Sequence, residues 1–287
     1  MESTSDARPA LAHQQIAAAL GVAPVFDATA EIAGRVDFLC AHLRANGLRT
    51  LVLGISGGID SATAGRLCQL CAERLREAGY AARFVAMRLP YGVQHDEADA
   101  AEALAFIRPD ETLTVDIRPA ADAMLASLLA GGFSVADAAQ QDFVLGNIKA
   151  RQRMIAQYAV AGARAGLVIG TDHAAESLMG FFTKFGDGAA DVLPLAGLNK
   201  RRVRALAKAL GAPPRLVDKT PTADLESLRP LRPDEDAYGV SYEEIDDLLE
   251  GKPVSENACA TILRFYDSTH HKRALPFTPQ DPLPPAA

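Results

Sequence analysis

Apolar residues along the chain alternate between short continuous runs and helically spaced positions. The runs predict buried strands at Thr50–Leu53, Arg83–Leu89, Glu111–Ile117 and Leu167–Gly170. Helical spacing predicts helices at Asp27–Asn46, Ser61–Cys68, Asp96–Ile107 and Ala120–Ala130, within Ser134–Gly166, and at Tyr242–Leu249 and Ala258–Tyr266. Strands that alternate with helices are typical of a mainly parallel sheet. The pattern therefore predicts a doubly wound α/β fold with helices on both faces of the sheet.

Three segments rich in glycine or polar residues follow predicted strands, at Gly54–Ser61, Pro90–Gly92 and Thr171–His173. In open α/β sheets, ligands bind beyond the carboxyl ends of the strands, so we expect the chemistry to lie along that edge. Two further stretches, 181–188 and 213–238, are rich in Gly or Pro and predict long loops. Loops of this kind often cover active sites.

The loop after the first predicted strand reads Gly54-Ile55-Ser56-Gly57-Gly58-Ile59-Asp60-Ser61. Because it precedes a predicted helix, its backbone N–H groups converge at a helix N-terminus, where an anion is favoured. Gly57 and Gly58 leave room for a phosphate group, and Ser56 and Ser61 add hydroxyl donors. The carboxylate of Asp60 suits a Mg²⁺ ion bound to phosphate. The loop is therefore predicted to bind a nucleotide phosphate.

This loop differs from the two commonest nucleotide-binding loops. A Walker loop carries Lys before its final Ser or Thr, whereas Asp60 stands before Ser61 here, and no Gly-x-Gly-x-x-Gly fingerprint is present. The Ser-Gly-Gly-x-Asp-Ser arrangement resembles the pyrophosphate-binding loop of the ATP pyrophosphatase superfamily. Members of that superfamily adenylate a substrate and release pyrophosphate.

Composition narrows the classes of function. The 287 residues are 49% hydrophobic, which suits one large catalytic domain. A net charge of −7 disfavours a nucleic acid as the main partner. No apolar run approaches the ~20 residues of a membrane span, and the N-terminus lacks the pattern of a signal peptide. We therefore predict a cytoplasmic protein that binds neither membrane nor nucleic acid.

Four cysteines do not suggest a disulfide framework. Cys68 and Cys71 form a Cys-x-x-Cys motif, which could serve metal or redox chemistry. No second such motif or nearby His completes a tetrahedral site, and both thiols lie on one face of an apolar helix. Packing against the sheet is the favoured interpretation.

Taken together, the motifs resemble those of the ammonia-dependent NAD synthetases, a branch of the ATP pyrophosphatase superfamily. Besides the phosphate loop, the resemblance rests on segments in family order: Arg88–Gly92, Gly146–Arg151, Gly170–Glu176, Gly180–Gly188, Leu198–Lys200 and Pro221–Leu225. It implies an adenine nucleotide alpha hydrolase-like fold and three regions: an N-terminal extension (1–26), a catalytic domain (27–275) and a Pro-rich tail (276–287).

The resemblance also implies a reaction. In it, ammonia amidates deamido-NAD to NAD, through an adenylated carboxylate, with release of AMP and pyrophosphate. ATP is the co-substrate and Mg²⁺ the cofactor. Adenylation removes the charge that makes a carboxylate resist nucleophiles, and cations must stabilise the departing pyrophosphate.

Site residues carry over from the family motifs by position. Positions that contact ATP match Gly54, Ile55, Ser56, Gly57, Gly58, Ile59, Asp60, Ser61, Arg88, Thr171, Lys200 and Thr222. Positions that contact deamido-NAD match Arg151, Lys184, Asp191, His271 and Lys272. Mg²⁺ ligands match Asp60 and Glu176, and catalytic roles fall to Asp60, Lys184 and Lys200. His173 lies beside these motifs, as either a base or a structural hydrogen-bonding residue.

The family forms homodimers with substrate near the subunit interface, which implies a dimer here through Ser134–Gly166. No length remains for a glutaminase of ordinary size, so ammonia is expected to come from solution. Two alternatives stay open at this point. One is a tRNA-thiolating enzyme that uses Cys68 and Cys71, and the other is a catalytically silent nucleotide-binding protein.

Overall fold

The computed structural model describes residues 7–92, 97–223, 228 and 232–281. Four parallel strands form the main sheet: β1 (Thr50–Gly54), β2 (Arg83–Arg88), β3 (Glu111–Thr114) and β4 (Gly166–Val168). Their order is β3-β2-β1-β4, with Leu51 opposite both Phe84 and Leu167. A short antiparallel pair, β5 (Thr222–Ala223) and β6 (Arg232–Pro233), lies apart from this sheet.

Helices make up most of the remaining described chain. Six come before β4 in the chain: α1 (Ala7–Ala19), α2 (Ala28–Ala45), α3 (Ile59–Glu77), α4 (Glu97–Ile107), α5 (Arg118–Ala130) and α6 (Ala138–Ala163). Seven follow β4: α7 (Ala174–Met179), α8 (Lys200–Ala209), α9 (Pro214–Val217), α10 (Asp234–Tyr238), α11 (Tyr242–Leu249), α12 (Glu256–Ser268) and α13 (His270–Arg273).

The two faces of the sheet build two different cores. Successive strand residues point to opposite faces, so Leu51 and Leu53 join the core formed with α2, α3 and α8. Val52 points to the other face and packs in the core that α6 covers. Helices therefore lie on both faces of the sheet, as predicted.

Most predicted elements match the structure closely. The first predicted helix corresponds to α2, where the Asp27 side chain accepts a hydrogen bond from the N–H of Ala30 and Gly47 follows with a positive φ. The predicted strand to Ile117 ends earlier, at Thr114. Asp116 accepts hydrogen bonds from the N–H groups of Gly92 and Arg118 and turns the chain into α5.

Some elements escaped the sequence analysis. Helices α1, α7 and α8 were not predicted, and the stretch 213–238, predicted as a loop, contains α9, β5, β6 and α10 within its described residues. Helix α1 places Ile16 in a small core with Ile245 and Ile262. None of the described helices is both long and apolar enough to cross a membrane. The domain boundaries at 26 and 275 remain predictions.

Helix α11 fixes the start of α8. The buried Asp246 carboxylate accepts hydrogen bonds from the N–H of Lys200 (3.0 Å) and of Arg201 (2.7 Å). Glu250, one turn further along, accepts from Asn199 Nδ2 and from Arg201 Nη1, both at 2.8 Å. Carboxylates at a helix N-terminus satisfy free N–H groups and the helix dipole, so α11 determines where Lys200 lies.

The variant Glu250→Gln tests whether the charge of Glu250 holds the start of α8, through the pH dependence of the free energy of unfolding. Burial alone would raise the pKa of Glu250, but hydrogen bonds from Lys252 and Asn199 and the charge of Arg201 outweigh it and lower the pKa to about 2, from 4.5. Stability from this group is therefore present above pH 4.5 and is lost as the pH falls toward 2. We expect Glu250→Gln to lower the free energy of unfolding at pH 7 by about 1–2 kcal/mol, less than the full shift because solvent screens the group.

The measurement is urea unfolding of both proteins at pH 7 and pH 3. The deficit should shrink at the lower pH, because Glu250 then binds a proton when unfolded. Glu243→Gln, on the exposed side of the same helix, makes the same charge change and should cost little. An equal deficit at both pH values would show that the charge of Glu250 does not hold α8.

Candidate active site

The predicted phosphate loop leads from β1 directly into α3, which begins at Ile59. Its hydroxyl groups brace it from within: Ser61 Oγ donates to the carbonyl of Gly58 (3.1 Å) and lies 3.2 Å from Ser56 Oγ. Ser56 Oγ in turn accepts from the N–H of Gly58 at 3.2 Å. The loop therefore has a fixed shape, and the positive end of the α3 dipole faces the space beyond it.

Gly57 requires the absence of a side chain. Its φ is +88°, and a Cβ there would lie 2.8 Å from the backbone nitrogen of Ala100 on α4. Real Cβ atoms essentially never approach backbone so closely. The loop thus packs directly on the backbone of α4.

A cavity of about 500 Å³ opens at the carboxyl ends of β1 and β2 and after β4. This is the edge predicted from the sequence. Eleven of the residues proposed from the family motifs line it: Gly54, Ile55, Ser56, Gly58, Ile59, Asp60, Ser61, Thr171, Glu176, Thr222 and Lys272. Apolar side chains of Leu53, Met87, Leu89 and Ile169 form another part of the wall.

Lys200 and Asp60 form a buried ion pair behind this cavity. Lys200 Nζ lies 2.6 Å from Asp60 Oδ2, and Lys200 is fully buried. Burial alone would lower the pKa of Lys200, but the charges of Asp60 and Glu176 outweigh it and raise that pKa. Burial alone would raise the pKa of Asp60, but the charge of Lys200 and its hydrogen bond to Asp60 outweigh burial and lower that pKa. Both groups are therefore ionised near neutral pH.

His173 and Glu176 complete this group. His173 Nε2 lies 3.5 Å from Asp60 Oδ1 and from Glu176 Oε1, and 3.4 Å from Lys200 Nζ. Burial and the charge of Lys200 lower the pKa of His173 to about 3, so its imidazole is neutral. Burial and the charge of Asp60 raise the pKa of Glu176 well above its usual value.

The same three residues fit a divalent cation. One ligand atom from each of Asp60, His173 and Glu176 lies within 4.8 Å of the others. Asp60 Oδ1 is buried and has no hydrogen-bond partner among the described residues. A buried carboxylate oxygen without a partner is costly unless a cation meets it.

Of the five residues matched to deamido-NAD, Lys272 borders the cavity and the other four do not. Arg151 Nη2 donates to the carbonyl of Lys184 (3.1 Å), and Lys184 Nζ contacts the carbonyl of His271. Lys272 Nζ donates to the carbonyls of Gly180 and Phe182 and also borders the cavity. Four of the five residues therefore come together around the 181–188 stretch.

Three other matched residues have structural contacts, and their assigned binding roles stay predictions. Asp191 Oδ2 accepts from the N–H of Val168 (2.7 Å), at the end of β4. Arg88 is buried and pairs with both carboxylate oxygens of Glu97, at 3.0 and 2.9 Å. Gly57 lies behind the loop against α4. Arg88, Asp191 and Gly57 do not border the cavity itself.

Several cavity residues were missed by the sequence analysis. Gln157 Oε1 accepts from the N–H of Gly54 (2.8 Å), and Lys219 Nζ lies 2.7 Å from Asp99 Oδ2. The cavity is also bordered by Phe143, Asn147, Arg153, Asp187 and Asp234. Together with Ala150, which also borders the cavity, the α6 members recur every three to four residues, which is one helix face, and that spacing could have indicated them.

The Cys-x-x-Cys motif lies away from this site. Cys68 and Cys71 are fully buried between α2 and α3, and Cys71 Sγ is 3.3 Å from Cys40 Sγ. Burial raises the pKa of both thiols. The packing interpretation is confirmed.

Comparison with known proteins decides the family. The family model described as NAD synthase matches residues 31–276. The chain belongs to the NAD synthase family. This membership confirms the resemblance drawn from the motifs, and the parallel sheet and the structural matches below confirm the predicted fold class.

Individual proteins are similar to this chain over nearly its whole length. The NH(3)-dependent NAD(+) synthetase of Burkholderia mallei (strain SAVP1) is 74% identical over 263 residues, which cover 92% of this chain and 93% of that protein. The crystal structure of NAD+ synthetase from Burkholderia pseudomallei is 69% identical, covers 96% of this chain and 100% of its own, and has a TM-score of 0.83. NMN synthetase from Francisella tularensis is 38% identical, covers 90% of this chain and 100% of its own, and has a TM-score of 0.77.

The contact of Gly57 with α4 yields a prediction for this family member. Gly57→Ala adds both a strained backbone and a clash, so we expect the phosphate loop to move and the affinity for ATP to fall at least about tenfold. Gly79→Ala is the matched control, because Gly79 has a φ of +77° but no atom within 4 Å of an added Cβ.

Isothermal titration with ATP and thermal unfolding measure the two effects. Gly79→Ala should lose about 1 kcal/mol of stability, the cost of a left-handed alanine, and keep its affinity for ATP. Equal ATP affinities for the two variants would mean that the contact with α4 does not shape the loop.

Proposed function

We propose that the protein catalyses ATP-dependent amidation of deamido-NAD by ammonia. The products are NAD, AMP and pyrophosphate, and the intermediate is an adenylated carboxylate. The observation that carries this proposal is the 74% identity, across 92% of the chain, with a curated relative named NH(3)-dependent NAD(+) synthetase. The phosphate loop and the Lys200–Asp60 pair supply the chemistry that such a reaction needs.

The first half-reaction transfers the adenylyl group of ATP to the substrate carboxylate. An oxygen of that carboxylate forms a bond to the α-phosphorus, and the bond from this phosphorus to the bridging oxygen of pyrophosphate breaks. The phosphate loop would hold the leaving pyrophosphate at the N-terminus of α3. Lys200, the buried cation nearest the loop, would offset the negative charge that develops on the phosphates.

The residues present also fit a Mg²⁺ ion, with Asp60 and Glu176 as carboxylate ligands. Two observations support this assignment: Asp60 Oδ1 accepts no hydrogen bond from the described residues, and the donor atoms lie within 4.8 Å of one another. Such an ion supplies charge stabilisation to transferring phosphates. His173, held neutral between the carboxylates, would orient Asp60 and Glu176.

Deamido-NAD would lie toward the basic end of the site. Arg151, Lys184, His271 and Lys272 gather there, and a dinucleotide carries two phosphate anions that suit these side chains. Lys184 would also act on the reacting end of the substrate. Asp191 would contact substrate through Oδ1, because its Oδ2 accepts the hydrogen bond from Val168 in β4. Tyr158 Oη lies 3.5 Å from Asp191 Oδ1.

A homodimer through α6 fits this arrangement. Phe143, Arg151 and Ile155 are exposed along α6, and Arg151 and Ile155, four residues apart, lie on the same helix face. Phe143 also borders the cavity, so a partner on this face would lie beside the substrate. Exposed apolar residues of α5, including Met124 and Leu129, extend the surface.

The thiolation alternative finds no support in this arrangement. It requires a reactive thiol at the nucleotide, whereas Cys68 and Cys71 are buried in the core and do not border the cavity. A silent nucleotide-binding protein would not need the buried pair of Lys200 and Asp60, whose burial is costly.

The test is NAD formation from ATP, Mg²⁺ and deamido-NAD, with ammonium and glutamine compared and the adenine product identified. We expect NAD and AMP with ammonium. Nicotinic acid mononucleotide should be tested alongside, because a 38% identical relative is named NMN synthetase. Amidation of the mononucleotide alone, or ADP as product, would refute the proposal.

In the same assay, Asp60→Asn should lower kcat by about 10³-fold or more, since a charged ligand at the phosphates is lost.

The control for this variant is Asp37→Asn, which makes the same charge change on the exposed side of α2. Circular dichroism and thermal unfolding should show a folded Asp60→Asn protein. Near-normal turnover of Asp60→Asn at saturating Mg²⁺ would contradict the proposed role of Asp60.

Ile155→Asp tests the dimer. A charge in the centre of an apolar interface is strongly unfavourable, so we expect light scattering to show a monomer where the parent chain is a dimer. Val25→Asp places the same charge at an apolar residue that is 79% exposed and lies outside α5 and α6, and it should leave the mass unchanged. A dimeric Ile155→Asp protein would place the interface elsewhere.

A further inference from the structure

Asp234 is a buried carboxylate on the cavity wall that the site described above does not use. It begins helix α10 and is only 6% exposed, yet it borders the cavity. Its Oδ1 is buried and has no hydrogen-bond partner within the described residues. A carboxylate oxygen in this position needs a donor or a cation, which the part of the chain that the structure describes does not supply.

The other oxygen of Asp234 is held in place. Tyr242 Oη donates to Asp234 Oδ2 at 3.0 Å, and Tyr238 Oη lies 3.2 Å from Tyr242 Oη. The N–H of Asp234 donates to the carbonyl of Pro221, next to Thr222 on the cavity wall. These contacts fix the carboxylate, so its free oxygen has a defined direction.

The surroundings of Asp234 favour a small monovalent cation. The charged groups that face it are Lys200 from α8, Asp60 from α3, and Glu235 on its own helix, with Glu176 of α7 also in the group around Lys200. Carboxylates outnumber the single cation. Burial raises the pKa of Asp234, which is the cost that a bound cation would remove.

Aromatic side chains form the rest of this corner. Phe181 borders the cavity and packs edge-on against Tyr238, with ring centres 4.7 Å apart. The Tyr242 ring lies 5.0 Å from Lys200 Nζ. One carboxylate oxygen in a corner lined by aromatic rings suits an ammonium-type cation, which can donate a charge-assisted hydrogen bond to a single oxygen.

We propose that Asp234 Oδ1 binds the ammonium ion that supplies nitrogen for amidation. This inference rests on the proposed function and assigns the residue that receives its cationic substrate. Near neutral pH almost all ammonia in solution is NH₄⁺, so a site that concentrates it requires a negative acceptor.

A role for Asp234 as a further Mg²⁺ ligand fits less well. The residues whose donor atoms lie within 4.8 Å of one another are Asp60, His173 and Glu176, and Asp234 is not among them. Mg²⁺ requires several oxygen ligands in octahedral geometry, so a carboxylate outside that group is poorly placed to share the ion. Ammonium tolerates a single charged acceptor.

The experiment separates the two half-reactions in Asp234→Asn. Exchange of labelled pyrophosphate into ATP, dependent on deamido-NAD and without ammonium, reports adenylation. We expect this exchange and its Mg²⁺ dependence to match those of the parent enzyme. In the complete reaction, the KM for ammonium should rise at least tenfold. Hydroxylamine, which is mostly uncharged near neutral pH, should be used equally well by both enzymes, with the hydroxamate product measured.

Two variants control for structural effects. Asp236→Asn makes the same charge change on the exposed side of α10 and should leave every parameter unchanged. Tyr242→Phe keeps the ring below Lys200 but removes the hydroxyl that orients Asp234, so it should raise the KM for ammonium by a smaller factor.

Each other outcome overturns the inference. A weaker response to Mg²⁺ in the exchange reaction would make Asp234 a metal ligand. Equal losses with ammonium and hydroxylamine would make it a structural residue. Normal exchange with an unchanged KM for ammonium would remove Asp234 from the reaction. If the parent enzyme catalyses neither exchange nor amidation, the proposed function itself fails, and this inference fails with it.

Discussion

The buried contact between Lys200 and Asp60 is the constraint on which the arrangement of the site depends. Removing an ammonium group from water is costly, and Lys200 is also the first residue of α8, where the helix dipole opposes a positive charge. Carboxylates on two other helices offset this cost at Nζ, Asp60 on α3 and Glu176 on α7, while Asp246 on α11 accepts a hydrogen bond from the backbone N–H of Lys200. Four helices must therefore take fixed positions around one residue. The phosphate loop is part of this arrangement, since its residue Asp60 lies in the first turn of α3.

The sheet places this cluster beside a cavity because of how its strands end. The strands β1 and β2 carry side chains into both cores, so the sheet itself is rigid and covered. Helix α6 crosses the face at the cavity, and Gln157 ties it to the end of β1. Apolar walls and charged groups thus meet at one edge of the sheet. A nucleotide needs both, because its base suits an apolar surface and its phosphates suit a charged one.

The sequence predicted local features well and distant contacts poorly. Helix α11 matches its predicted bounds, since Ser241 and Glu244 form a capping box at its start. Helix α8 was missed because its first residues are Lys200, Arg201 and Arg202, and a basic N-terminus is an unfavourable helix signal until Asp246 and Glu250 are known to face it. Asp234 and Gln157 could not be assigned, because their roles come from neighbours far away in the chain. Family motifs indicated Asp60 and Lys200 but not the distance between them.

The separation of Asp60 and Lys200 along the chain has a consequence for synthesis of the protein. They lie 140 residues apart, and the carboxylate that holds the start of α8 comes 46 residues later still, at Asp246. A growing chain completes the phosphate loop early, but it lacks the groups that fix Lys200 until α11 has left the ribosome. Contacts of such long sequence separation form late in folding. An unfinished chain can therefore carry the nucleotide loop before Lys200 is in place to stabilise the departing pyrophosphate. Incomplete chains would then be unable to cleave ATP.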